Sequence, residues 1–219
     1  MTRLAVIGGT GKEGNALAAR FARAGVEVLI GSRDAGRGAA AAEDLNRRLG
    51  LETARGMSNR DAAEQAEIVL LSLPYEGMTP ILADLRNAVQ SKIVINIASA
   101  LDPEKKSRAK VPPAGSTTAE VQQFFGDAVK VVAAFQSIAP EKLEGVDSQI
   151  DSDVLVCGAD RETRTRVIDL IHQIGIDALD AGVLANAVAV ETLTAVLIAL
   201  NIRYKTKGAG IRVTGIPRS

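Results

Sequence analysis

Three glycines near the start of the chain have the spacing of a phosphate-binding turn. Gly9, Gly11 and Gly14 form G-x-G-x-x-G between an apolar run and a stretch with helical periodicity. The first glycine of such a turn permits a tight bend, the second lets a pyrophosphate approach the backbone, and the third lets helix and strand pack closely. The following helix offers its free N–H groups to the pyrophosphate. The spacing predicts dinucleotide binding, with Lys12 and Glu13 in the same turn.

The end of the second strand-like run predicts which dinucleotide binds. Enzymes that use NAD place a carboxylate about 20 residues further on, where it accepts hydrogen bonds from the adenine ribose. This chain has Ser32 and Arg33 there, and a guanidinium with a neighbouring hydroxyl suits a phosphate. We therefore predict NADP(H), with Thr10 and Arg37 as further contacts to its 2′-phosphate. The alternative is that Arg33 is solvated and that Asp34 binds the ribose one position later.

Two further segments are expected to border the nicotinamide, because ligands bind at the carboxyl ends of the strands in open α/β sheets. Residues 72–74 and 96–99 each end a strand-like run. Neither segment contains lysine or histidine, so the sequence predicts no catalytic side chain there, and it predicts no metal site. The expected contacts are Ser72, Leu73, Pro74, Asn96 and Ala98.

Short β-branched runs alternate with amphipathic stretches along the chain. The strand-like runs cover residues 4–8, 26–31, 67–73, 92–98, 130–135 and 154–157. Continuous apolar strands separated by helices indicate a parallel sheet that is covered on both faces and joined by right-handed crossovers. The sequence therefore predicts an α/β protein with a doubly wound parallel sheet, the Rossmann NAD(P)-binding fold. We expect this domain to cover residues 1–181.

The apolar run at residues 183–202 is long enough to cross a bilayer. Glu191 would then lie near mid-span, at a cost of about 2.5 to 3.5 kcal/mol. A helix that is apolar on nearly all faces is otherwise buried in a core or against another subunit. We therefore predict a buried helix of a soluble protein, through which the chain forms a homodimer.

Composition limits the partners and the location of the protein. The 219 residues carry 26 basic and 26 acidic side chains, so no overall field favours nucleic acid or an anionic membrane. Cys157 is the only cysteine and cannot form an internal disulfide, and the first 20 residues do not have the pattern of an export signal. A cytoplasmic location is expected. A packing role is predicted for Cys157, and a surface or packing role for the single histidine, His172.

Five longer motifs accompany the glycine turn (GGTGKEG, residues 8–14) and the GSR sequence at residues 31–33. They are SLPYEG at 72–77, DVLVCGAD at 153–160, LDAGVLAN at 179–186, VETLT at 190–194 and GAGIRVTG at 208–215. Together these motifs resemble the NADP-dependent reductases of coenzyme F420, an 8-hydroxy-5-deazaflavin, over most of the chain. The resemblance implies reversible hydride transfer between NADPH and the oxidised deazaflavin by a small dimer. It also implies that residues 182–219 form a small C-terminal helical domain that contributes to the substrate site and the dimer contact.

The resemblance also implies residue roles. It assigns the 2′-phosphate to Thr10, Ser32, Arg33 and Arg37, and the nicotinamide to the region of Leu73 and Pro74. The deazaflavin is expected to bind after the run at residues 130–135 and beside the last helix. The residues predicted for this second ring are Gln136, Ser137, Ile138, Leu184 and Asn186.

Residues 100–116 are the one long stretch without periodicity, which is typical of a lid, a binding loop or disorder. Lys105, Lys106, Arg108 and Lys110 make it locally basic. Because the deazaflavin tail carries phosphate and glutamates, one hypothesis is that this loop attracts the tail. The alternative is a solvated surface loop.

Two other functions compete with the deazaflavin reductase. One is an NADPH-dependent reductase of an imine, a flavin or a ferric complex. Related reductases of that kind place a long helical domain after the sheet, and about 37 residues are too few for it. The other is a non-catalytic NADP(H) sensor, which would bind NADPH without oxidising it.

Overall fold

The fold is built on eight strands, seen in a computed structural model that describes residues 2–216. The strands are β1 (Arg3–Ile7), β2 (Glu27–Ser32), β3 (Ala54–Ser58), β4 (Ile68–Leu71), β5 (Ile93–Asn96), β6 (Lys130–Ala133), β7 (Val154–Gly158) and β8 (Ala178–Gly182). They form one sheet in the order β3-β2-β1-β4-β5-β6-β7-β8. This confirms the doubly wound Rossmann architecture predicted from the alternating pattern.

Helices cover both faces of the sheet. They are α1 (Lys12–Arg23), α2 (Ala35–Leu49), α3 (Asn59–Gln65), α4 (Met78–Leu85), α5 (Thr117–Phe125), α6 (Pro140–Leu143), α7 (Arg161–His172) and α8 (Ala187–Tyr204). Leu4 and Val6 of β1 belong to the same apolar cluster as Phe21 of α1. Ala5 and Ile7, which point to the opposite face, belong to a second cluster. The period-2 alternation of one central strand thus feeds two cores.

The sheet is not entirely parallel. β7 pairs with β6 in the antiparallel direction, and β8 is parallel to β7. An antiparallel strand starts at the edge of the sheet where its preceding neighbour ends. The chain between β6 and β7 therefore needs no crossover to the other edge. The segment between β6 and β7 therefore stays near the carboxyl edge of β6, where ligand binding was predicted.

Two strands, β3 and β8, were not among the predicted runs. Their sequences, ARGMS and ALDAG, lack β-branched residues. Both are outer strands of the sheet, and each gains its conformation from pairing with one neighbour, β2 or β7. Tertiary context here outweighs β-propensity.

The apolar run near the C-terminus forms α8, as predicted for a helix. By length and composition alone, the segment Leu184–Tyr204 could span a membrane. Only 28% of its most apolar 18 residues are buried within the chain. Val196, Leu200, Ile202 and Tyr204 stay exposed. The predicted division into residues 1–181 and 182–219 includes Met1 and residues 217–219, which lie outside the described residues.

The segment after α8 is fixed to the start of β7. The Asp153 N–H donates to the Ile211 carbonyl at 2.8 Å, and the Val213 N–H donates to Asp153 Oδ2 at 2.6 Å. Arg212 forms ion pairs with Asp151, Asp153 and Asp177, at 3.2 to 3.7 Å. These contacts return the chain to the carboxyl edge of the sheet.

Candidate active site

A cleft of about 720 Å³ lies at the carboxyl edge of the sheet. Its walls come from the turns after β1, β4, β5 and β6, from the long loop after β5, and from α8. The volume falls within the range of small-molecule sites. Its lining residues are Gly11, Lys12, Glu13, Ser72, Leu73, Pro74, Tyr75, Glu76, Ile97, Ala98, Ser99, Leu101, Asp102, Pro103, Lys106, Gln136, Ser137, Ile138, Ala139, Pro140, Glu141, Thr194, Leu197, Ile198, Asn201 and Ala209.

The glycine turn has the geometry that its spacing predicts. The Gly9 N–H donates to the Val6 carbonyl at 3.2 Å, and the Gly11 N–H donates to the Gly8 carbonyl at 2.9 Å. A Cβ on Gly14 would lie 2.7 Å from the Gly8 carbonyl oxygen, so only glycine lets α1 pack this closely. Gly11 is the N-cap and has no capping side chain. The first N–H groups of α1 therefore face the cleft mouth, where an anion is favoured.

The residues predicted for the 2′-phosphate lie at the end of β2 and the start of α2. Arg33 and Arg37 are exposed, and within residues 2–216 neither guanidinium pairs with a carboxylate. Asp34 Oδ1 accepts from the Arg37 N–H at 3.0 Å and caps α2. Ser32 is buried, and its Oγ accepts from the Asp34 N–H at 3.3 Å. Because the Asp34 carboxylate serves as a helix cap, this edge presents positive charge.

Most of the residues predicted for the nicotinamide line one wall of the cleft. Ser72, Leu73 and Pro74 follow β4, and Ala98 follows β5. Asn96 does not line the cleft, which differs from the prediction. It is fully buried at the end of β5, since its side chain is turned inward to the hydroxyls of the first turn of α5. Asn96 supports the wall from behind.

Gln136, Ser137 and Ile138 line the facing wall, after β6. Gln136 Nε2 donates to the Asn96 carbonyl at 2.8 Å. Its Oε1 is buried and accepts no hydrogen bond from any described residue. A buried acceptor without a partner is costly, so this oxygen is suited to an N–H or O–H donor on a ligand. Ser137 Oγ is already used, because it donates to the Asp153 carbonyl at 2.8 Å.

Leu184 and Asn186, also predicted to contact the second ring, do not reach this cleft in the single chain. Leu184 packs against a separate apolar cluster, and Asn186 Nδ2 donates to the Ala181 carbonyl at 2.6 Å. The reason is the direction of β8, which is antiparallel to β6, so the chain that leaves β8 moves away from the carboxyl edge. The opposite end of α8 reaches the cleft instead. The cleft residues at this end of α8 were not predicted from the sequence. They are Thr194, Leu197, Ile198 and Asn201.

Acidic groups lie beside the glycine turn. Burial, with a smaller contribution from the nearby Glu141 carboxylate, raises the pKa of Glu13 to about 7. Across the mouth of the cleft, Lys12 Nζ pairs with Glu141 at 2.8 Å and Glu144 at 3.2 Å. These hydrogen bonds raise the pKa of Lys12. The Glu13 carboxyl, with its raised pKa, thus lies in the turn where a pyrophosphate is expected.

The long loop after β5 lies over the cleft. It has no helix or strand beyond one bridge between Leu101 and Ala109, as predicted for residues 100–116. Lys106 lines the cleft, and Lys110 Nζ lies 5.9 Å from the centre of the Tyr75 ring. The loop thus brings positive charge to the opening of the site.

The other reactive side chains lie elsewhere. Cys157 is fully buried in β7, and burial raises the pKa of its thiol to about 12. His172 ends α7, and its Nε2 accepts from the Ala178 N–H at 3.3 Å. These positions agree with the packing role predicted for Cys157 and with the surface or packing role predicted for His172, which is exposed.

Comparison with known proteins agrees with this arrangement. Residues 3–100 match the protein family described as NADP oxidoreductase, coenzyme F420-dependent. The chain is 40% identical to the F420-dependent NADP reductase of Methanocaldococcus jannaschii, with 98% of this chain and 99% of the relative covered. It is 36% identical to the F420-dependent NADP reductase of Methanothermobacter thermautotrophicus, with 98% and 96% covered.

The fold has a close counterpart among solved structures. A crystal structure of a protein from Arthrobacter sp. FB24 superimposes with a TM-score of 0.82 at 25% identity, covering 98% of this chain and 100% of that one. The similarity therefore includes the C-terminal segment as well as the dinucleotide-binding sheet.

Proposed function

Because the chain belongs to the F420-dependent NADP reductases, we propose that the cleft at the carboxyl edge is where it performs its reaction. That reaction is hydride transfer between NADP(H) and the deazaflavin coenzyme F420. The observation that carries the assignment is the pair of facing walls beside the start of α1. Leu73 and Pro74 form one wall, and Gln136 and Ile138 form the other.

NADP(H) fits the residues on the first side of the cleft. The free N–H groups of α1 and the backbone at Gly9 and Gly11 hold the pyrophosphate. Ser32, Arg33 and Arg37, with Thr10, hold the 2′-phosphate, since among residues 2–216 no carboxylate pairs with either of the two guanidiniums there. The nicotinamide then lies against the wall formed by Ser72, Leu73, Pro74 and Ala98.

The second ring fits between that wall and the residues after β6. Gln136 offers a donor on the ring its Oε1, which accepts no hydrogen bond within the described residues, and Leu197 and Ile198 of α8 supply apolar contact. The two cofactors supply the redox chemistry: NADPH loses a hydride, and the oxidised deazaflavin gains that hydride and a proton. The protein aligns the rings and excludes water, which is the main contribution to such a transfer.

The remaining features form part of the same proposal. The protein is a cytoplasmic homodimer, with an NADP-binding domain at residues 1–181 and a small C-terminal domain at 182–219. It acts on a small molecule and binds neither nucleic acid nor membrane. The balanced charge, the single buried cysteine and the exposed apolar side chains on α8 support these points.

The function is tested by following NADPH absorbance with purified protein and oxidised coenzyme F420. We expect NADPH oxidation to depend on both the protein and the deazaflavin, and to reverse with reduced F420 and NADP+. A free flavin, a cyclic imine and a ferric chelate serve as competing acceptors. Binding of NADPH without oxidation would identify a sensor, and faster turnover of one of the other acceptors would refute the F420 assignment.

A further inference from the structure

A buried carboxylate joins α8 to the N-terminus of α5. Glu191 is 3% exposed, and its oxygens accept from the N–H groups of Thr117 at 2.7 Å and Thr118 at 2.8 Å, and from the Thr118 hydroxyl at 2.7 Å. In the described part of the chain no lysine or arginine pairs with it. The first turn of α5 favours a negative charge at this point through its free N–H groups and its dipole.

This carboxylate sets the direction of the hydrogen bonds beyond it. Because an ionised carboxylate only accepts, the Thr118 hydroxyl donates to it and accepts from Asn96 Nδ2 at 3.0 Å. The Thr117 hydroxyl donates to the Ala98 carbonyl at 2.8 Å and accepts from the same amide nitrogen at 2.9 Å. Asn96 Oδ1 consequently faces the Ala98 N–H, at 3.4 Å. Both backbone polar groups of Ala98 are thus oriented by this network.

A second residue of α8 contacts the same walls one turn later. The Thr194 hydroxyl donates to the Gln136 carbonyl at 3.0 Å and lies 2.8 Å from Ser99 Oγ. Gln136 is also held from the other side, because its Nε2 donates to the Asn96 carbonyl. One face of α8 therefore anchors both sides of the cleft, at Ala98 and Ser99 and at Gln136.

We propose that Glu191 is a positioning residue for hydride transfer, which acts through Thr118 and Asn96 on the wall at Ala98 against which the nicotinamide lies. The proposal rests on the function proposed for this cleft. Glu191 does not line the cleft, so it acts only through these other residues. It also gives a role to the VETLT motif, in which Glu191 holds the start of α5 and Thr194 contacts Gln136 and Ser99.

Substitution by glutamine keeps the shape of the side chain and places an NH2 group against one of the two backbone donors. Whichever way the amide is turned, its NH2 group faces a donor: the Thr117 N–H in one orientation, the Thr118 N–H in the other. If the Thr118 hydroxyl turns to accept from that NH2 group, it no longer accepts from Asn96 in the same way. The Asn96 amide then loses the contacts that fix its orientation, and the Ala98 segment becomes less well placed.

The experiment compares Glu191→Gln with a matched control on the same helix, Thr192→Val. The Thr192 hydroxyl donates to the Val188 carbonyl of its own helix at 2.7 Å and takes no part in the network. Each full-length variant is assayed with F420 and with NADPH or NADPH deuterated at the transferred position. We expect Glu191→Gln to lower kcat roughly 10- to 100-fold, with a larger primary isotope effect and little change in KM for NADPH. Thr192→Val should behave as the wild type.

A second pair of variants covers the case in which Glu191→Gln does not fold. Thr118→Val deletes the hydroxyl but leaves both backbone donors to Glu191, and Thr118→Ser restores the hydroxyl. We expect the loss of kcat and the larger isotope effect with Thr118→Val, and rescue with Thr118→Ser.

Two results would have different meanings. If folded Glu191→Gln or Thr118→Val retains wild-type kcat and isotope effect, even with a lower melting temperature, the positioning role is refuted and only a structural role remains. If the wild-type protein itself does not oxidise NADPH with F420, the proposed function fails first.

Discussion

At the scale of single residues, we expect Arg33 to decide the choice between the two nicotinamide dinucleotides. Its guanidinium is exposed at the end of β2, and the neighbouring Asp34 carboxylate caps α2. We expect Arg33→Ala to weaken NADPH binding roughly tenfold or more, because a charged hydrogen bond to phosphate is lost, and to leave NADH almost unaffected. Arg47→Ala, at the other end of α2, is the control. Unchanged preference between NADPH and NADH, measured as the ratio of kcat/KM values, would contradict the assignment.

Glu13 should make dinucleotide binding depend on pH. The folded protein holds the pKa of this carboxyl at about 7, above the usual 4.5, so Glu13 is mostly neutral below that pH and ionised above it. The ionised form repels a pyrophosphate at the start of α1, and NADP+ affinity should therefore fall as pH rises from about 6 to about 8. Folding stability should fall in the same direction between the two pKa values, because the folded state binds the extra proton.

Titration calorimetry of NADP+ across this range tests the effect of Glu13. In Glu13→Gln the affinity should be less dependent on pH and should stay near the low-pH value of the wild type. A variant with the same pH profile as the wild type would assign the titration to another group.

At the scale of elements, the loop at residues 100–116 is expected to attract the anionic tail of the deazaflavin. Lys106 lines the cleft and Lys105 precedes it. Replacing both with glutamine should raise KM for F420 about threefold, since exposed charges contribute roughly 0.2 to 1 kcal/mol each, and should flatten its salt dependence. Lys130→Gln removes a charge at the amino end of β6, far from the loop, and serves as the control. A double variant with unchanged salt dependence would leave the loop without this role.

The sequence predicted the elements whose patterns are local. The turn at Gly9, Gly11 and Gly14 and the apolar central strands follow from spacing and periodicity alone. The placement of Asn96 behind the wall could not be predicted from spacing, because it depends on hydroxyls of α5 that are about 20 residues away in the chain. Likewise, Leu184 was expected at the cleft, but Leu197 lies there instead. The reversal of chain direction at β7 decides which end of α8 lies at the cleft.

At the scale of the whole molecule, α8 has two different faces. One face packs Glu191 against the start of α5 and Thr194 against the cleft wall, while Val196, Leu200 and Tyr204, spaced four residues apart, remain exposed at 51%, 39% and 72%. Residues four apart share one side of a helix, and an apolar stripe of this kind is typical of an interface. We therefore predict that a second copy of the chain covers it.

The test is the oligomeric state by analytical ultracentrifugation. Wild-type protein should sediment as a dimer, and Leu200→Lys should sediment as a monomer, because a buried ammonium without a partner is strongly unfavourable at an apolar interface. Ile216→Lys, an exposed position outside α8, should remain a dimer. Since α8 also anchors Ala98 and Gln136, loss of the dimer should lower kcat as well, and a fully active monomer would separate the interface from the site. A monomeric wild type would refute the predicted interface.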